Sequence, residues 1–229
     1  MTANREELLN LYADLRVTDV RDGMDWMMRH GYGSMVPQIR PLWRTRAVGI
    51  AKTARYLPYR GAVPKMTPEE YTEWSGWYYG EVCTYPWLSD IQPGDFCVID
   101  QSGVDVGLMG SNNTMDGLID GAVGYVTNGG VRDTDEIILQ KVPFWAGMIS
   151  HGMVQARLQF DACDIPVAVG GVNVVPGDVV VADGDGVIVV PQDIAVAVAK
   201  YAHQELRNDK AARRTKYEKL GLELDETVK

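Results

Sequence analysis

The 229-residue sequence is poor in the residues that most often build cross-linked or reactive sites. It has three cysteines (Cys83, Cys97 and Cys163) and three scattered histidines. The cysteines are odd in number and form no CxxC pair, so we expect reduced, mostly buried thiols in a cytoplasmic protein. Scattered histidines disfavour a histidine-built metal site. Any bound metal is expected to take oxygen ligands, which favours Mg²⁺ or Mn²⁺.

The chain is also short of basic residues and of long apolar runs. It carries 22 basic against 31 acidic residues, a net charge of −9. An acidic protein repels phosphate backbones, so no nucleic-acid partner is expected. No apolar run approaches the roughly 20 residues that span a bilayer. The opening MTANREELLNLY is polar and then amphipathic, unlike a secretory signal. We therefore expect a cytoplasmic protein with no membrane partner.

The first third of the chain carries helix and strand signals. Asn4 and Glu7 predict a capping box that opens a first helix. Thr18 is predicted to cap a second helix, whose apolar stripe would run from Val20 to Met28 and whose end lies near Gly31. The segment RAVGIAKTARYL, residues 46–57, predicts a strand rich in small residues. These signals place two helices before the first long strand.

The middle and end of the chain alternate short apolar strands with glycine turns. QPGDFCVID predicts a turn and a strand, and its echo VPGDVVVADGDGVIVVP predicts a β-hairpin. Further strands are expected at 124–127 and 144–149, and a last helix from Pro191. The tail, 205–229, is predicted to be a charged helix, either solvated or reaching a neighbour. This pattern indicates an α/β protein with one domain over 1–229.

The segment between Pro58 and Pro93 is rich in aromatic residues among prolines and acids. Pro68 with the two glutamates after it predicts the first turn of a helix. One interpretation is a helix whose aromatic face packs on the sheet. The other is a lid or a subunit contact, and the sequence leaves both open.

Two glycine-bearing stretches are candidate sites. VGLMGSNN, residues 106–113, precedes a predicted helix, and its backbone N–H groups together with the helix N-terminus suit a carboxylate or phosphate. Ser111 or Asn112 would equally serve as a plain N-cap. The stretch matches neither the GxGxxG nor the GxxxxGK[ST] pattern, which disfavours a dinucleotide or P-loop nucleotide.

The second stretch, NGGVRDTDE, places Arg132 beside Asp133 at a predicted strand end. On neighbouring positions the two side chains should diverge and serve different partners. Arginine offers a bidentate fork to a carboxylate or an enolate oxygen, and aspartate offers a hard oxygen to a divalent cation. The alternative is a salt-bridged turn without a ligand.

Taken together, these motifs resemble the RraA-like family. The resemblance rests on Gly110 followed by Arg132-Asp133, on PFWA, and on the GGVNVVPGDVVVADGDGVIVVP hairpin. VTDVRDGMD and IRPLW match the front of the family pattern, and the similarity covers most of 17–204. That family includes the regulator of ribonuclease E activity and the class II, metal-dependent aldolases of 4-hydroxy-4-methyl-2-oxoglutarate and 4-carboxy-4-hydroxy-2-oxoadipate.

The resemblance implies a fold, an assembly and a set of site residues. The fold would be a β/β/α sandwich of the swivelling-domain type with N- and C-terminal helices, assembled into homotrimers or homohexamers with sites between subunits. Asp133 matches the family's metal ligand and Arg132 its substrate-binding arginine. The backbone of Gly107, Leu108, Met109 and Gly110 matches the loop that holds the pyruvyl carboxylate.

This chain departs from the aldolases at one site position. Ser111, followed by Asn112 and Asn113, stands where the aldolases have an acid that holds metal-bound water, so the resemblance gives Ser111 and Asn112 catalytic places with altered chemistry. An acid from the C-terminal region of a neighbouring subunit completes the family's site, and Glu205 is the candidate. The arginine that follows PFWA in many relatives is Gly147 here.

The reaction that the resemblance implies is divalent-metal-dependent C–C bond cleavage of a 2-oxo acid. Retro-aldol cleavage of a 4-hydroxy-2-oxo acid and decarboxylation of an oxaloacetate-type acid both pass through a metal-stabilised pyruvate enolate. The cofactor would be Mg²⁺ or Mn²⁺ and the partner a small oxo acid. Two alternatives stay open: a non-catalytic regulatory binding protein of the same family, and a lyase or isomerase acting on a sugar-acid derivative.

Overall fold

The computed structural model describes residues 3–229, which form six α-helices and eleven strands. The helices are α1 (Arg5–Tyr12), α2 (Val17–Trp26), α3 (Pro68–Trp77), α4 (Ser111–Asp120), α5 (Thr134–Leu139) and α6 (Ala195–Leu220). The strands are β1 (Arg40–Pro41), β2 (Ala47–Pro58), β3 (Asp95–Asp100), β4 (Gly107–Met109), β5 (Ala122–Val131), β6 (Phe144–Ile149), β7 (Leu158–Cys163), β8 (Val167–Val169), β9 (Val172–Val174), β10 (Val179–Asp183) and β11 (Gly186–Val190). A π-helical turn, Tyr78–Val82, and a 3₁₀ turn, Pro86–Asp90, follow α3.

Nine of these strands form one mixed sheet. Its order is β1-β6-β5-β3-β2-β10-β11, with β4 added to β5 and β7 added to β2. The pairs β2–β3, β3–β5, β4–β5 and β5–β6 are parallel, whereas β10 pairs antiparallel with both β2 and β11. Strands β8 and β9 form a separate hairpin. The parallel centre brings the carboxyl ends of β4 and β5 to the same place.

The sheet curls until its two ends meet, so that it is nearly closed. The indole N–H of Trp145, on β6, donates to the carbonyl of Asp183 at the end of β10, at 2.9 Å. The Arg40 guanidinium, on β1, donates to the carbonyl of Asp185 in the β10–β11 turn, at 3.0 Å. Inside the curl lie buried apolar side chains of β3, β6, β10 and β11 together with the β8–β9 hairpin. The valine-rich strands therefore bury both faces.

The helices at the two ends of the chain pack together against the outside of β10 and β11. Leu8 and Met24 from α1 and α2 and Ala202 from α6 are buried in one cluster with strand residues. Helices α2 and α6 approach closely, because a Cβ at Gly23 would lie 2.6 Å from the Val198 carbonyl oxygen. The predicted α/β class with helices at both ends is confirmed.

The predicted cap of α1 is found in the structure, whereas the predicted cap and end of α2 are not. The Asn4–Glu7 capping box is confirmed. The expectation that Thr18 caps α2 is wrong, because Arg16 is the N-cap and its backbone N–H donates to the Asp19 carboxylate at 2.9 Å. The helix ends at Trp26, before the glycines, so the predicted stripe is too long: Met28 lies outside the helix and is 75% exposed.

Two further elements have bounds that the sequence did not predict. The strand expected at 124–127 extends over Ala122–Val131, because Gly130 lets β5 pass close to its neighbours. A Cβ there would lie 2.8 Å from the Val106 carbonyl oxygen. The helix expected through 205–229 ends at Leu220, where Gly221 takes a left-handed φ of 67° and turns the chain back. Val228 is then buried, 3% exposed. Among residues 3–229, no helix is both long and apolar enough to cross a membrane.

Candidate functional site

A cleft of about 410 Å³ lies where β4, the start of α4 and the end of β5 meet. It is lined by Tyr79, Tyr85, Gly107, Leu108, Gly110, Asn113, Arg132, Asp133 and Met153. The fold thus brings the two glycine-bearing stretches that the sequence singled out to one place. This follows from the parallel pairing of β4 with β5, in which Gly107 lies opposite Gly130.

Arg132 and Asp133 converge in this cleft, so the expectation that their side chains diverge is wrong, and they form the ion pair of the salt-bridged alternative. Arg132 Nε lies 3.2 Å from Asp133 Oδ1, and the two side chains are 33% and 35% exposed. The reason is the backbone at Asp133, whose φ of 54° is left-handed. The regular alternation of a strand therefore stops at this residue, and both side chains point to the same side. A half-exposed pair of this kind stabilises the fold little, by about 0–1 kcal/mol.

The second oxygen of Asp133 faces the N-terminus of α4. Asp133 Oδ2 accepts the backbone N–H of Ser111 at 3.3 Å. Gly110 is the N-cap and Ser111 the first helical residue, so the expectation that Ser111 or Asn112 caps this helix is wrong. Gly110 has no side chain with which to cap α4, so the helix N-terminus meets Asp133 instead and adds partial positive charge there.

Gly107 and Gly110 provide the room in which the pair sits. A Cβ at Gly110 would lie 2.3 Å from Asp133 Oδ2, and a Cβ at Gly107 would lie 2.6 Å from the Cβ of Arg132. The Arg132 backbone N–H donates to the Met109 carbonyl at 3.0 Å. This hydrogen bond fixes the position of Arg132 and Asp133 along β4. These glycines are required by the close approach of side chains rather than by a turn.

The other predicted site residues take different places. Leu108 and Met109 are buried, 3% and 1% exposed, and Leu108 lines the cleft. Asn113 lines the cleft as well. Ser111 meets the pair through its backbone N–H, whereas Asn112 is exposed on α4 and is not among the lining residues.

Glu205 lies in a separate cleft between α2 and α6. Its carboxylate accepts the indole N–H of Trp26 at 3.2 Å, and Asp22, Asp25 and His30 line the same cleft. Burial and the nearby Glu205 raise the pKa of Asp22 above its ordinary value. Within one chain, Glu205 is not brought to Arg132 and Asp133.

Three lining residues were not singled out as site residues by the sequence: Tyr79, Tyr85 and Met153. The Tyr85 hydroxyl donates to the Leu108 carbonyl at 2.9 Å. Burial raises the pKa of Tyr85 well above its ordinary value, so this phenol stays neutral. The packing interpretation of the aromatic segment is confirmed for Trp74 and Tyr78, which pack against the core. Tyr79 and Tyr85 line the cleft. A lid or subunit contact stays a prediction.

The protein side chains of the cleft do not form a metal cage by themselves. Across residues 3–229, no group of three or more histidine, cysteine, aspartate or glutamate side chains is placed to hold a metal ion. Asp133 is the acid that lines the cleft. A cation there would take its other oxygens from water and from a ligand, which is the usual pattern for Mg²⁺.

Several curated proteins resemble parts of this chain. Protein DlpA of Legionella pneumophila is 27% identical over 157 residues, 68% of this chain but 23% of the Legionella protein. A Deinococcus radiodurans protein named "Putative 4-hydroxy-4-methyl-2-oxoglutarate aldolase" is 35% identical over 97 residues, 42% of this chain and 60% of that protein. A Burkholderia mallei protein of the same name is 36% identical, over 42% of this chain and 58% of its own length. The matched stretches thus span less than two thirds of each of these relatives.

Solved structures match over nearly the whole chain. Streptomyces coelicolor RraAS2, described as an unusual member of the RNase ES inhibitor RraA protein family, is 25% identical with a TM-score of 0.74, covering 93% of this chain and 98% of its own. A structure titled as one of novel cellulases from gut-associated microbes has a TM-score of 0.75 at 25% identity, covering 92% and 89%. The family model described as "RraA-like: Aldolase/RraA" matches residues 17–189, and the chain therefore belongs to the RraA-like family.

Proposed function

We propose that this protein is a divalent-metal-dependent lyase that cleaves a C–C bond of a 2-oxo acid to give pyruvate. The observation that carries the proposal is the Arg132–Asp133 pair, held half-exposed in a cleft beneath the N-terminus of α4. A guanidinium, a carboxylate and a helix N-terminus in one cleft suit an anionic substrate and a cation together. The aldolase names of the matching relatives support a lyase of this kind.

Asp133 is the residue that would hold the metal. Its two oxygens make only long contacts of 3.2 and 3.3 Å, to Arg132 Nε and to the Ser111 N–H, so each retains acceptor capacity. When bound, Mg²⁺ or Mn²⁺ would act as a Lewis acid on the keto and carboxylate oxygens of the substrate. Metal dependence and the identity of the metal are parts of this proposal.

Arg132 would bind the negative charge of the substrate. Within residues 3–229 its Nε contacts Asp133, and its terminal nitrogens donate no hydrogen bond to protein. These nitrogens are therefore available to a carboxylate, or to the oxygen on which charge develops when the C–C bond breaks. The N–H groups at the start of α4 and the backbone of 107–110 would position the substrate carboxylate.

Retro-aldol cleavage also needs a base for the 4-hydroxyl proton. Tyr85 does not suit this role, because its hydroxyl donates to the Leu108 carbonyl and burial raises its pKa well above the ordinary value. We assign the missing acid–base group to a neighbouring subunit, with Glu205 as the candidate from the family resemblance; within its own chain Glu205 lies outside the cleft. The site would then lie between copies of the chain.

A trimer or hexamer is therefore expected. Ile119, Leu139 and Ile149, on α4, α5 and β6, are 78%, 82% and 70% exposed and would be covered by self-association. Light scattering at micromolar concentration should give three or six times the chain mass of 25.3 kDa. A monomer mass under the same conditions would contradict both the assembly and the shared site.

The proposal is tested by pyruvate chemistry. With Mn²⁺ present, the protein should release pyruvate from oxaloacetate or from a 4-hydroxy-2-oxo acid, and it should exchange the methyl protons of pyruvate with deuterium. Chelation by EDTA should stop both, and added Mn²⁺ should restore them. Absence of exchange and of release at every metal concentration would reject the lyase.

Replacement of Ser111 by aspartate is expected to tighten metal binding about tenfold, an energy of roughly 1.4 kcal/mol. The added carboxylate would stand next to Asp133, and hard cations bind more tightly as anionic oxygens are added. Calorimetric titration with Mn²⁺ measures the change. Asn112→Asp is the matched control, because it adds the same charge to the exposed side of the same helix end. Equal Mn²⁺ affinity in the parent and Ser111→Asp would leave Ser111 without a role beside the metal.

A non-catalytic regulatory role is the second candidate. It is favoured by the structural likeness to RraAS2, described as an unusual member of the RNase ES inhibitor RraA protein family, and by Ser111 in the place of the family's acid. The retained Arg132–Asp133 pair argues for the lyase, since a protein interface has no need of a metal ligand beside a guanidinium. Pyruvate proton exchange separates the two candidates.

A further inference from the structure

The cleft has a polar part and an apolar part, which the substrate must match. The polar part is Arg132, Asp133 and Asn113 with the backbone of β4. The apolar part is Tyr79, Tyr85 and Met153, which we call the aromatic wall. Arg132 is the one cationic side chain among the described residues that line the cleft, and it is paired with Asp133.

The aromatic wall is built by a local departure from helix geometry. After α3 the chain forms a π-helical turn, in which the Cys83 N–H donates to the Tyr78 carbonyl at 2.8 Å. Tyr78 is fully buried, and its hydroxyl donates to the Leu158 carbonyl at 2.6 Å. Tyr79, the next residue, is 40% exposed and lines the cleft. Single π-turns inside helices occur frequently at functional sites.

The other two members of the wall are fixed to the strand that forms the cleft floor. Tyr85 is tied to Leu108 through its hydroxyl, so its ring contributes an apolar surface. Met153 follows Gly152, whose carbonyl accepts the Gly107 N–H at 3.0 Å. The wall is thus part of the site rather than a loose loop above it.

From this arrangement we propose that the cleft selects 2-oxo acids with a single carboxylate and an uncharged, apolar or aromatic substituent at C4, and that Tyr79 and Met153 are specificity-determining residues. The inference rests on the proposed function. The carboxylate that every 2-oxo acid carries is met by Arg132 and the α4 N-terminus. Within the lining that one chain supplies, a second carboxylate at C4 would meet phenol rings and a thioether and no cation, which disfavours it. Arg157, outside the lining, donates to the carbonyls of Met153 and Gln155.

The reaction expected for such a substrate is 4-hydroxy-2-oxo-4-phenylbutanoate giving benzaldehyde and pyruvate. A base removes the 4-hydroxyl proton, C4 becomes the aldehyde carbonyl and the C3–C4 bond breaks. Its electron pair leaves with C3 as the enolate of pyruvate, which takes up one proton. The corresponding dicarboxylate, 4-hydroxy-2-oxoglutarate, would give glyoxylate and pyruvate by the same steps.

Binding tests the inference without depending on catalysis. The probes are 2-oxo-4-phenylbutanoate and 2-oxoglutarate, which lack the 4-hydroxyl and cannot undergo retro-aldol cleavage. Calorimetry of the full protein with Mn²⁺ should give about tenfold tighter binding of the phenyl acid, as expected for discrimination by a pocket without a partner charge. Cleavage of the two hydroxylated acids should show the same preference in kcat/KM.

A cation placed in the wall should reverse the preference. Tyr79→Arg and, independently, Met153→Arg should shift the ratio of the two affinities about tenfold toward 2-oxoglutarate. Tyr79 is 40% exposed and Met153 is 38% exposed, so the new charge is not buried in either variant. Trp77→Arg is the control, because Trp77 is 47% exposed on α3 and lies outside the cleft. Trp77→Arg should bind 2-oxo-4-phenylbutanoate and 2-oxoglutarate with the same ratio of affinities as the parent protein.

Pyruvate proton exchange keeps the outcomes distinct. Loss of exchange in the parent protein would reject the lyase itself. Exchange together with equal or tighter binding of 2-oxoglutarate by the parent would overturn the specificity inference alone. The specificity inference would also be overturned if Tyr79→Arg and Met153→Arg both leave the ratio of the two affinities unchanged while circular dichroism shows both variants to be folded.

Discussion

Replacement of Asp133 by asparagine is expected to lower pyruvate proton exchange and C–C cleavage on the order of 100- to 1,000-fold, because it removes the anionic oxygens that would hold the cation. The fold should survive the change. Asparagine accepts the left-handed φ of 54° that Asp133 adopts. The lost ion pair is half-exposed and contributes about 0–1 kcal/mol.

The measurement combines Mn²⁺ titration, exchange kinetics and thermal unfolding. Mn²⁺ affinity should fall together with activity, while Tm should move by only about 2–4 °C, as a change of about 1 kcal/mol implies for a chain of this size. Asp135→Asn is the matched control, since Asp135 is an exposed acid two residues further along and outside the cleft. Full activity and unchanged Mn²⁺ affinity in Asp133→Asn would show that Asp133 is not the metal ligand.

Replacement of Gly110 by alanine should damage the site almost as much, without touching a charged residue. The new Cβ would lie 2.3 Å from Asp133 Oδ2 and 3.1 Å from Arg132 Cγ. Gly110 has φ −137° and ψ −172°, which alanine adopts readily, so backbone strain is not the cause. The Asp133 carboxylate is the flexible partner and must move. A displacement of about 1 Å in a catalytic group costs on the order of 100-fold in rate.

The control for Gly110→Ala is Gly76→Ala in α3, where a Cβ would meet nothing within 4 Å. That variant should keep full activity. Gly110→Ala should lose exchange activity and Mn²⁺ affinity together, with a decrease in stability of about 1 kcal/mol because alanine is a poorer N-cap than glycine. A Gly110→Ala protein with parental Mn²⁺ affinity and rate would mean that the position of Asp133 Oδ2 is not used.

Local signals in the sequence were sufficient for much of the fold. The capping box at Asn4 and the strand at Phe144–Ile149 are found as predicted. The Asp-Gly turn between β10 and β11 lies within the predicted hairpin. These features depend on residues close together in the chain, where turn and capping chemistry decide the conformation.

The candidate site was predictable in its members but not in its geometry. The sequence identified the Gly107–Gly110 stretch and the Arg132–Asp133 pair. It offered convergence of the pair only as the salt-bridged alternative, and it did not predict that Asp133 faces the Ser111 N–H. Both depend on one left-handed φ and on the pairing of β4 with β5, which are tertiary facts. The place of Tyr79 depends on a π-turn, for which periodicity gives no signal.

The segment that leads into β1 covers the free edge of β11. The Met35 N–H donates to the Val187 carbonyl at 3.0 Å, and the Val189 N–H donates to the Gly33 carbonyl at 2.9 Å. Gly33 takes φ +98°, and a Cβ there would lie 2.6 Å from the Val189 carbonyl oxygen, so glycine is required for this approach.

At the other end of the sheet, β1 is two residues long and holds Pro41, which cannot donate a ladder hydrogen bond.

The strands most prone to cross-β stacking are the valine-rich β10 and β11. They therefore have no open row of N–H and C=O groups to offer to another chain. Protection against fibril-like aggregation is built into the same curl of the sheet that brings β1 to the β10–β11 turn.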